Sequence, residues 1–316
     1  MNVFVTGGAG YIGSVCVHAL VEAGHTVTVF DNLSTGHREA VDARAKFVHG
    51  CLTDAAAITA AVTDSKPDMI QHFAACAIVS ESVADPRKYF RNNVIGGANL
   101  LVAAARGGVR RIVASSTCAV YGVPELLPIN ERAYTLPVNP YGLTKLLFEK
   151  QLLASRISFV ALRYFNAAGA TAQHGEQRAV ETHLIPRALS GKPVAIYGTD
   201  YPTSDGTCVR DYLHVADIAA AHLRAMHRGW GCYNLGTGRG HSVRAIIAAC
   251  ERVTGRNIPT IDQPRRAGDP PALVACSALA QSELGWQPEN SNLENIIATA
   301  WNWQVGRASP QAAARQ

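Results

Sequence analysis

The tightest constraint on this chain sits at its beginning, where Thr6-Gly7-Gly8-Ala9-Gly10-Tyr11-Ile12-Gly13 follows the run Val3-Phe4-Val5 and opens a helical pattern. The segment can be read as Gly8-x-Gly10-x-x-Gly13 or as Gly7-x-x-Gly10-x-x-Gly13. In both readings the glycines permit a tight strand-to-helix turn and let the backbone approach an anion at the helix N-terminus. A chain that opens this way is committed to a βα unit, which needs parallel neighbours to bury its faces. On its own the spacing is also compatible with a tight turn that holds no ligand.

The rest of the first half supplies those neighbours. Residue patterns predict strands over 3–6, 26–30, 47–49, 69–73, 111–115 and 159–163, and helices over 11–23, 55–62, 89–105 and 141–153. The alternation implies a parallel sheet with helices on both faces, a doubly wound Rossmann-type α/β fold. Gly24 stands where the left-handed C-cap of the first helix belongs, and Leu143, Leu146, Leu147 and Leu153 share one side of the last. Beyond 165 the texture changes, as Gly, Pro, Thr and Asp accumulate over 166–211. The reading is a first domain over 1–165, which carries the glycine turn, and a smaller C-terminal α/β domain over 166–316. Segments around 211–228 are expected to return to the first domain, including the helical pattern over 215–227. The small, polar residues 308–316 are expected to fray.

Composition removes several function classes. With 316 residues, 48% hydrophobic and 17% charged, the chain can build a packed core and is neither disordered nor fibrous. The net charge of +5 is scattered, its densest groups being the pairs Arg110-Arg111 and Arg265-Arg266, so no stripe for nucleic acid is present. No stretch reaches the about 18 apolar residues of a membrane span, and no basic-then-apolar leader opens the sequence; no membrane association and a cytoplasmic location are the expectations. The 8 cysteines contain no C-x-x-C pair and read as reduced, mostly core thiols. His183, His214 and His241 form no convincing ligand set, so no metal is expected.

Two further features carry chemistry. Asp31 ends the second strand 18 residues after Gly13, where a ribose hydroxyl would be held. A carboxylate there repels a 2′-phosphate, which favours NAD over NADP. Tyr141-Gly142-Leu143-Thr144-Lys145 places a phenol and an ammonium on one helix face. Tyrosine titrates near ~10, so it serves as a base at neutral pH only when a neighbouring cation favours the phenolate. Tyr-x-x-x-Lys is by itself a common surface pair. Here it follows a strand ending in Ser115-Ser116-Thr117, so a hydroxyl can meet the phenol at the carboxyl edge of the sheet, where such folds bind ligands.

The glycine loop, Asp31, the Ser115-Ser116-Thr117 cluster and Tyr141-x-x-x-Lys145 resemble the extended short-chain dehydrogenase/reductase superfamily. Further strings narrow the resemblance: Asp31-Asn32-Leu33, Arg163-Tyr164-Phe165-Asn166, Tyr197-Gly198-Thr199-Asp200-Tyr201, Val209-Arg210-Asp211-Tyr212-Leu213-His214, Tyr233-Asn234-Leu235-Gly236 and Arg265-Arg266-Ala267-Gly268-Asp269. Together they are similar to the UDP-glucose 4-epimerase family over residues 1 to about 304.

The resemblance implies that Tyr141 is the base, that Lys145 lowers its pKa and binds the nicotinamide ribose, and that Thr117 hydrogen-bonds the sugar O4. It implies NAD surrounded by Gly7, Gly10, Tyr11, Ile12, Gly13, Asp31, Asn32, Cys51, Leu52, Phe73, Ala74, Asn92, Tyr141, Lys145 and Phe165. The UDP-hexose would be held by Thr117, Asn166, His183, Leu184, Tyr197, Arg210, Tyr212, Arg266, Asp269 and Leu273. Arginines suit a diphosphate because guanidinium matches its oxygens bidentately. The implied reaction oxidises C4 to a transient ketone, turns the sugar over and reduces the other face, interconverting UDP-galactose and UDP-glucose. A homodimer through the helices near 89–105 and 141–154 is also implied.

Several positions depart from the family pattern. Cys51 stands in His49-Gly50-Cys51-Leu52 where an acidic residue is usual; a thiol is a poor acceptor, which predicts weaker hold on adenine. The run Phe73-Ala74-Ala75-Cys76-Ala77-Ile78 lacks the usual lysine, which predicts weaker retention of NAD. Cys276 replaces an aspartate with no functional account. Leu273 occupies the place where a bulky residue excludes N-acetylated sugars and a small one admits them, and its intermediate size leaves both substrate classes open. Two rivals remain at this level. Another nucleotide-sugar epimerase/dehydratase is opposed by the missing carboxylate in Cys118-Ala119-Val120-Tyr121, and a non-catalytic NAD-binding sensor by the intact Thr117, Tyr141 and Lys145.

Overall fold

A computed structural model of the chain describes residues 1–177, 183–266 and 269–308. Its first half runs β1 (Asn2–Thr6), α1 (Tyr11–Glu22), β2 (Thr26–Asp31), β3 (Lys46–His49), α2 (Ala55–Ser65), β4 (Met69–His72), α3 (Val79–Ala84), α4 (Pro86–Tyr89), α5 (Gly96–Arg106), β5 (Arg111–Thr117), α6 (Pro140–Ala154) and β6 (Ser158–Tyr164). The second half runs β7 (Asn166–Ala168), α7 (Leu184–Leu189), β8 (Val194–Tyr197), β9 (Val209–His214), α8 (Val215–Ala225), β10 (Gly231–Leu235), β11 (Gly240–Ser242), α9 (Val243–Thr254), β12 (Thr260–Gln263), β13 (Ala272–Leu273) and α10 (Leu293–Ala308). Most of the 308–316 tail lies outside the described residues.

Seven parallel strands form the large sheet in the order β10-β6-β5-β4-β1-β2-β3. Both faces are covered, and alternation along each strand divides the side chains between them. Val3, Val5, Met69, Val113 and Val160 pack with α1 and α8 residues, whereas Phe4, Ile70, Ile112 and Phe159 pack with α2, α5 and α6 residues. The chain leaves β1 towards β2 on one side, while β4 lies on the other with Thr6 opposite His72. That reversal opens a crevice at the carboxyl ends of β1 and β4, where ligands of such sheets bind.

The smaller lobe holds the sheet β11-β9-β13, with β7 also paired to β9, and the two-stranded β12-β8. Residues of α7, α9 and α10 pack with Tyr212 and Ile196 in its core. Segments after 165 contribute to both lobes. Helix α8 packs in the large core, β10 extends the large sheet, and Leu284 and Trp286 return to the same core.

Two expectations need correction. The helix expected over 89–105 is interrupted by a π-helical turn, Phe90–Ile95. The extra residue turns Asn93 inward, where its amide bonds to Cys76 N, Cys76 O and Thr144 Oγ1. The leucine side of α6 faces the core only in part: Leu146 packs against the cluster of Cys118, Phe165 and Leu273, but Leu143 and Leu153 are exposed, and the buried face is Gly142, Thr144, Lys145, Phe148, Glu149 and Leu152. Polar groups with dedicated partners displaced the apolar stripe from the interior. No described helix is long and apolar enough to cross a membrane.

Candidate active site

The glycine turn is shaped by backbone sterics. Gly7 has φ +74°, and a Cβ there would lie 2.4 Å from Ala74 N; a Cβ at Gly13 would lie 2.1 Å from Gly7 O. Phe73 N and Ala74 N both donate to Thr6 O, locking the end of β4 against the turn. Gly10 is the N-cap of α1 with no side-chain cap, and a Cβ on it would meet only Gly7 O, at 3.4 Å. Uncapped N–H groups facing such a space suit a diphosphate.

Asp31 ends β2 and is buried; its carboxylate accepts from Ala9 N at 3.0 Å and Leu33 N at 2.8 Å. Beside it, Asn32 donates to Cys51 Sγ at 3.5 Å, and Thr53 Oγ1 lies 3.1 Å from the same sulfur. Burial pushes the Cys51 thiol up, but its hydrogen bonds with Thr53 and Asn32 outweigh that and leave it below the usual value. The sulfur is thus engaged within the protein. Leu52 is a core residue packed near Gly96, and Asn92 donates to Asn93 Oδ1. Tyr11 donates to Gly169 O at 2.6 Å, tying the start of α1 to the loop after β7, while Ile12 packs against the large core. The Phe73 ring lies 4.4 Å from His222, which is bonded to Tyr164.

Helix α6 brings the other chemistry to this crevice. Asn139 caps it by accepting from Gly142 N at 2.8 Å, and a Cβ at Gly142 would lie 2.5 Å from Ala119 O. The helix start therefore presses on the turn after β5, whose cap is Thr117, accepting from Ala119 N at 3.2 Å. Tyr141 lies edge-on to Tyr89. Lys145 is 4% exposed and donates to Ser115 O at 2.9 Å. Burial lowers its pKa to about 8, partly opposed by Glu149. Beneath it, His72 Nδ1 lies 2.7 Å from Thr6 Oγ1, and burial together with the Lys145 charge holds the imidazole neutral, down to about 3.

On the opposite side, β9 carries Arg210, paired to Asp269 and donating to Val209 O at 2.8 Å. Leu273 is its register partner on β13, and Asn166 is the partner of Tyr212. Leu273 is buried with Phe165 and Cys118, behind the turn that starts at Thr117. The Arg266 guanidinium lies 3.7 Å above the Tyr197 ring. Leu184 packs with Tyr212 against the small core, whereas His183 is half-exposed and paired to Glu176 at 2.7 Å. These contacts bring together residues far apart in sequence, Tyr11 and Gly169 being 158 positions apart.

Sequence reasoning did not single out Asn93, His72 or Glu149. Nothing local distinguishes Asn93 from an exposed helix residue. Glu149 had a signal, its four-residue spacing from Lys145, that was not used.

Comparison with known proteins follows the same lines. The model of the NAD dependent epimerase/dehydratase family matches residues 3–236. A UDP-glucose 4-epimerase of Lactobacillus helveticus is 46% identical over 96% of this chain and 97% of its own. The crystal structure of UDP-glucose 4-epimerase from Brucella ovis in complex with NAD is similar at TM-score 0.91 and 46% identity, over 96% of this chain and 98% of that one. That of the Bifidobacterium longum enzyme in complex with NAD+ and UDP is similar at TM-score 0.93 and 35% identity, over 98% and 99%.

Proposed function

The chain belongs to the NAD dependent epimerase/dehydratase family, and from that premise we infer that it is an NAD-dependent UDP-glucose 4-epimerase, an isomerase interconverting UDP-galactose and UDP-glucose. The observation that carries this reading is the delivery of a buried ammonium, Lys145, to the edge of β5 beside the crevice shaped by Gly7 and Gly13.

The described residues fit NAD: a glycine cradle without a side-chain cap for its diphosphate, and the Asp31 carboxylate at the end of β2 for a ribose. When bound, NAD supplies reversible hydride transfer at C4 of the sugar. Tyr141 takes the O4 proton and later returns it, Lys145 keeps its phenolate stable, and Thr117 orients O4. Arg210 and Arg266 anchor the diphosphate through β9 and the segment before Asp269. Anchoring at the nucleotide with few ties to the hexose leaves the 4-keto sugar room to turn over. Residues 1–165 with the returning segments hold cofactor, and the smaller lobe holds UDP.

The buried Leu273 stands behind Thr117 with less bulk than an aromatic residue, which supports turnover of UDP-N-acetyl sugars as well. Exposed Ile95, Val102, Leu143 and Leu153 on neighbouring helical segments support a homodimer through α5 and α6. Sedimentation of Leu153→Glu is expected to show monomer where the unaltered chain shows dimer.

The direct test is epimerisation of UDP-galactose without added NAD, together with mass analysis of the co-purified nucleotide. Activity and bound NAD are expected. No turnover with any UDP-hexose, even with NAD added, would refute the reading.

A further inference from the structure

Glu149 is 5% exposed and belongs to none of the groups assigned to cofactor or sugar. Its Oε1 accepts from Ser116 Oγ at 2.6 Å and Arg163 Nε at 2.9 Å, and its Oε2 accepts from Arg163 Nη2 at 2.6 Å. Arg163 also donates to Tyr121 Oη at 2.8 Å, which donates to Asn234 Oδ1 at 2.7 Å. An apolar pair of equal volume would avoid the desolvation that this ion pair suffers, so stability alone does not account for it.

Its position suggests another use. Glu149 follows Lys145 by one helical turn and shares its buried face on α6. Ser116 lies between Ser115, whose carbonyl receives the Lys145 ammonium, and Thr117. One carboxylate therefore grips β5 between two site groups while standing behind the third. Around Lys145 are His72 of β4, held neutral; Cys76 of the following loop; the Ser115 carbonyl of β5; and Tyr141 and Glu149 of its own helix. Glu149 is the one carboxylate acting on Lys145 among the described residues, and it opposes the loss of charge that burial promotes.

We propose that Glu149 is a positioning residue of the epimerase site: it keeps Lys145 charged in a buried place and, through Ser116, holds the strand that carries Thr117. The inference rests on the epimerase reading. The field of the Glu149–Arg163 pair at Lys145 is partly cancelled, yet the carboxylate is on the same helix face and its removal strands a guanidinium. Both effects disfavour the ammonium.

The chain has only six lysines, so 13Cε-lysine NMR of the NAD-loaded protein can follow Lys145 through a pH titration, assigned with Lys145→Met. In Glu149→Gln the Lys145 midpoint is expected to fall by about one pH unit or more. The alkaline limb of the kcat profile should fall with it, and the acid limb should move less, because Tyr141 is two turns away. If Glu149→Gln does not fold, the same subtraction is made between Arg163→Gln and Glu149→Gln/Arg163→Gln, which strands no guanidinium. An unmoved midpoint in whichever pair folds overturns the proposal, even if the variant is slow, because a purely structural ion pair would change stability and not a titration. Failure of the unaltered chain to epimerise would instead refute the epimerase reading, while the midpoint still decides whether Glu149 controls Lys145.

Discussion

The turn between β1 and α1 and the strand pair β9–β13, to which we assign cofactor and substrate, are built on different terms. In the turn the backbone itself forms the surface, and a single Cβ at Gly13 would penetrate Gly7 O at 2.1 Å. At and beside β9–β13, long side chains form the surface: Arg210 pairs with Asp269 and Arg266 stacks on Tyr197, all of them at least partly accessible to solvent. Such a backbone surface tolerates no added atom at Gly7 or Gly13 but needs no side-chain ordering. A side-chain surface can be retuned residue by residue, at the entropic cost of holding each group in place. A cofactor retained through every cycle suits the first, and a substrate that enters and leaves suits the second.

The contrast can be broken or sharpened by substitution. The largest effect is expected at the proposed base: Tyr141→Phe should lower kcat about a thousandfold while NAD remains bound, measured by a coupled assay and nucleotide analysis. Next, Gly13→Ala should weaken NAD about a hundredfold, since relieving the clash displaces the cradle. Gly24→Ala is its control. With φ +79° and nothing within 4 Å, it should cost about 1 kcal/mol in a denaturant titration and leave NAD affinity alone. On the other side, Arg210→Met should raise KM for UDP-galactose about thirtyfold without releasing NAD. Equal loss of NAD and substrate affinity would erase the distinction.

A smaller effect comes from pH. Lys145 in the folded protein titrates near 8, below its usual 10.5, because burial disfavours the ammonium. Turnover should therefore fall as pH rises through 8. Stability should move the other way for this group: between 8 and 10.5 the unfolded chain binds the proton and the folded chain does not, so its contribution rises with pH. Parallel kcat profiles and denaturant titrations from pH 7 to 10 would test both signs. The smallest change is expected for Leu273→Ala, which should raise the turnover of UDP-N-acetylgalactosamine relative to UDP-galactose about fivefold.

Most of the fold was legible because its signals are local. Gly7 to Gly13, Asp31 at a strand end and the helix bearing Tyr141 and Lys145 lie within short stretches. The π turn at Phe90–Ile95 was not legible, since it is stabilised by Asn93 reaching Cys76 and Thr144, the latter 51 positions away. Leu143 and Leu153 of the α6 leucine side misled for the same reason: periodicity finds an apolar stripe but not what the stripe faces. Cys51, expected to be a weak partner for adenine, is already occupied by Asn32 and Thr53, which no spacing announced.

By itself the amino-acid order determined the doubly wound sheet, the glycine turn and the helix that carries Tyr141 and Lys145, because backbone sterics and one-turn helical spacing act between near neighbours. Only the tertiary structure decided that Lys145 is buried, that Glu149 and Arg163 are paired behind it, and that Tyr121 meets Asn234 across 113 residues. Burial and long-range pairing set the protonation of ionisable groups, and both exist only once distant segments have packed.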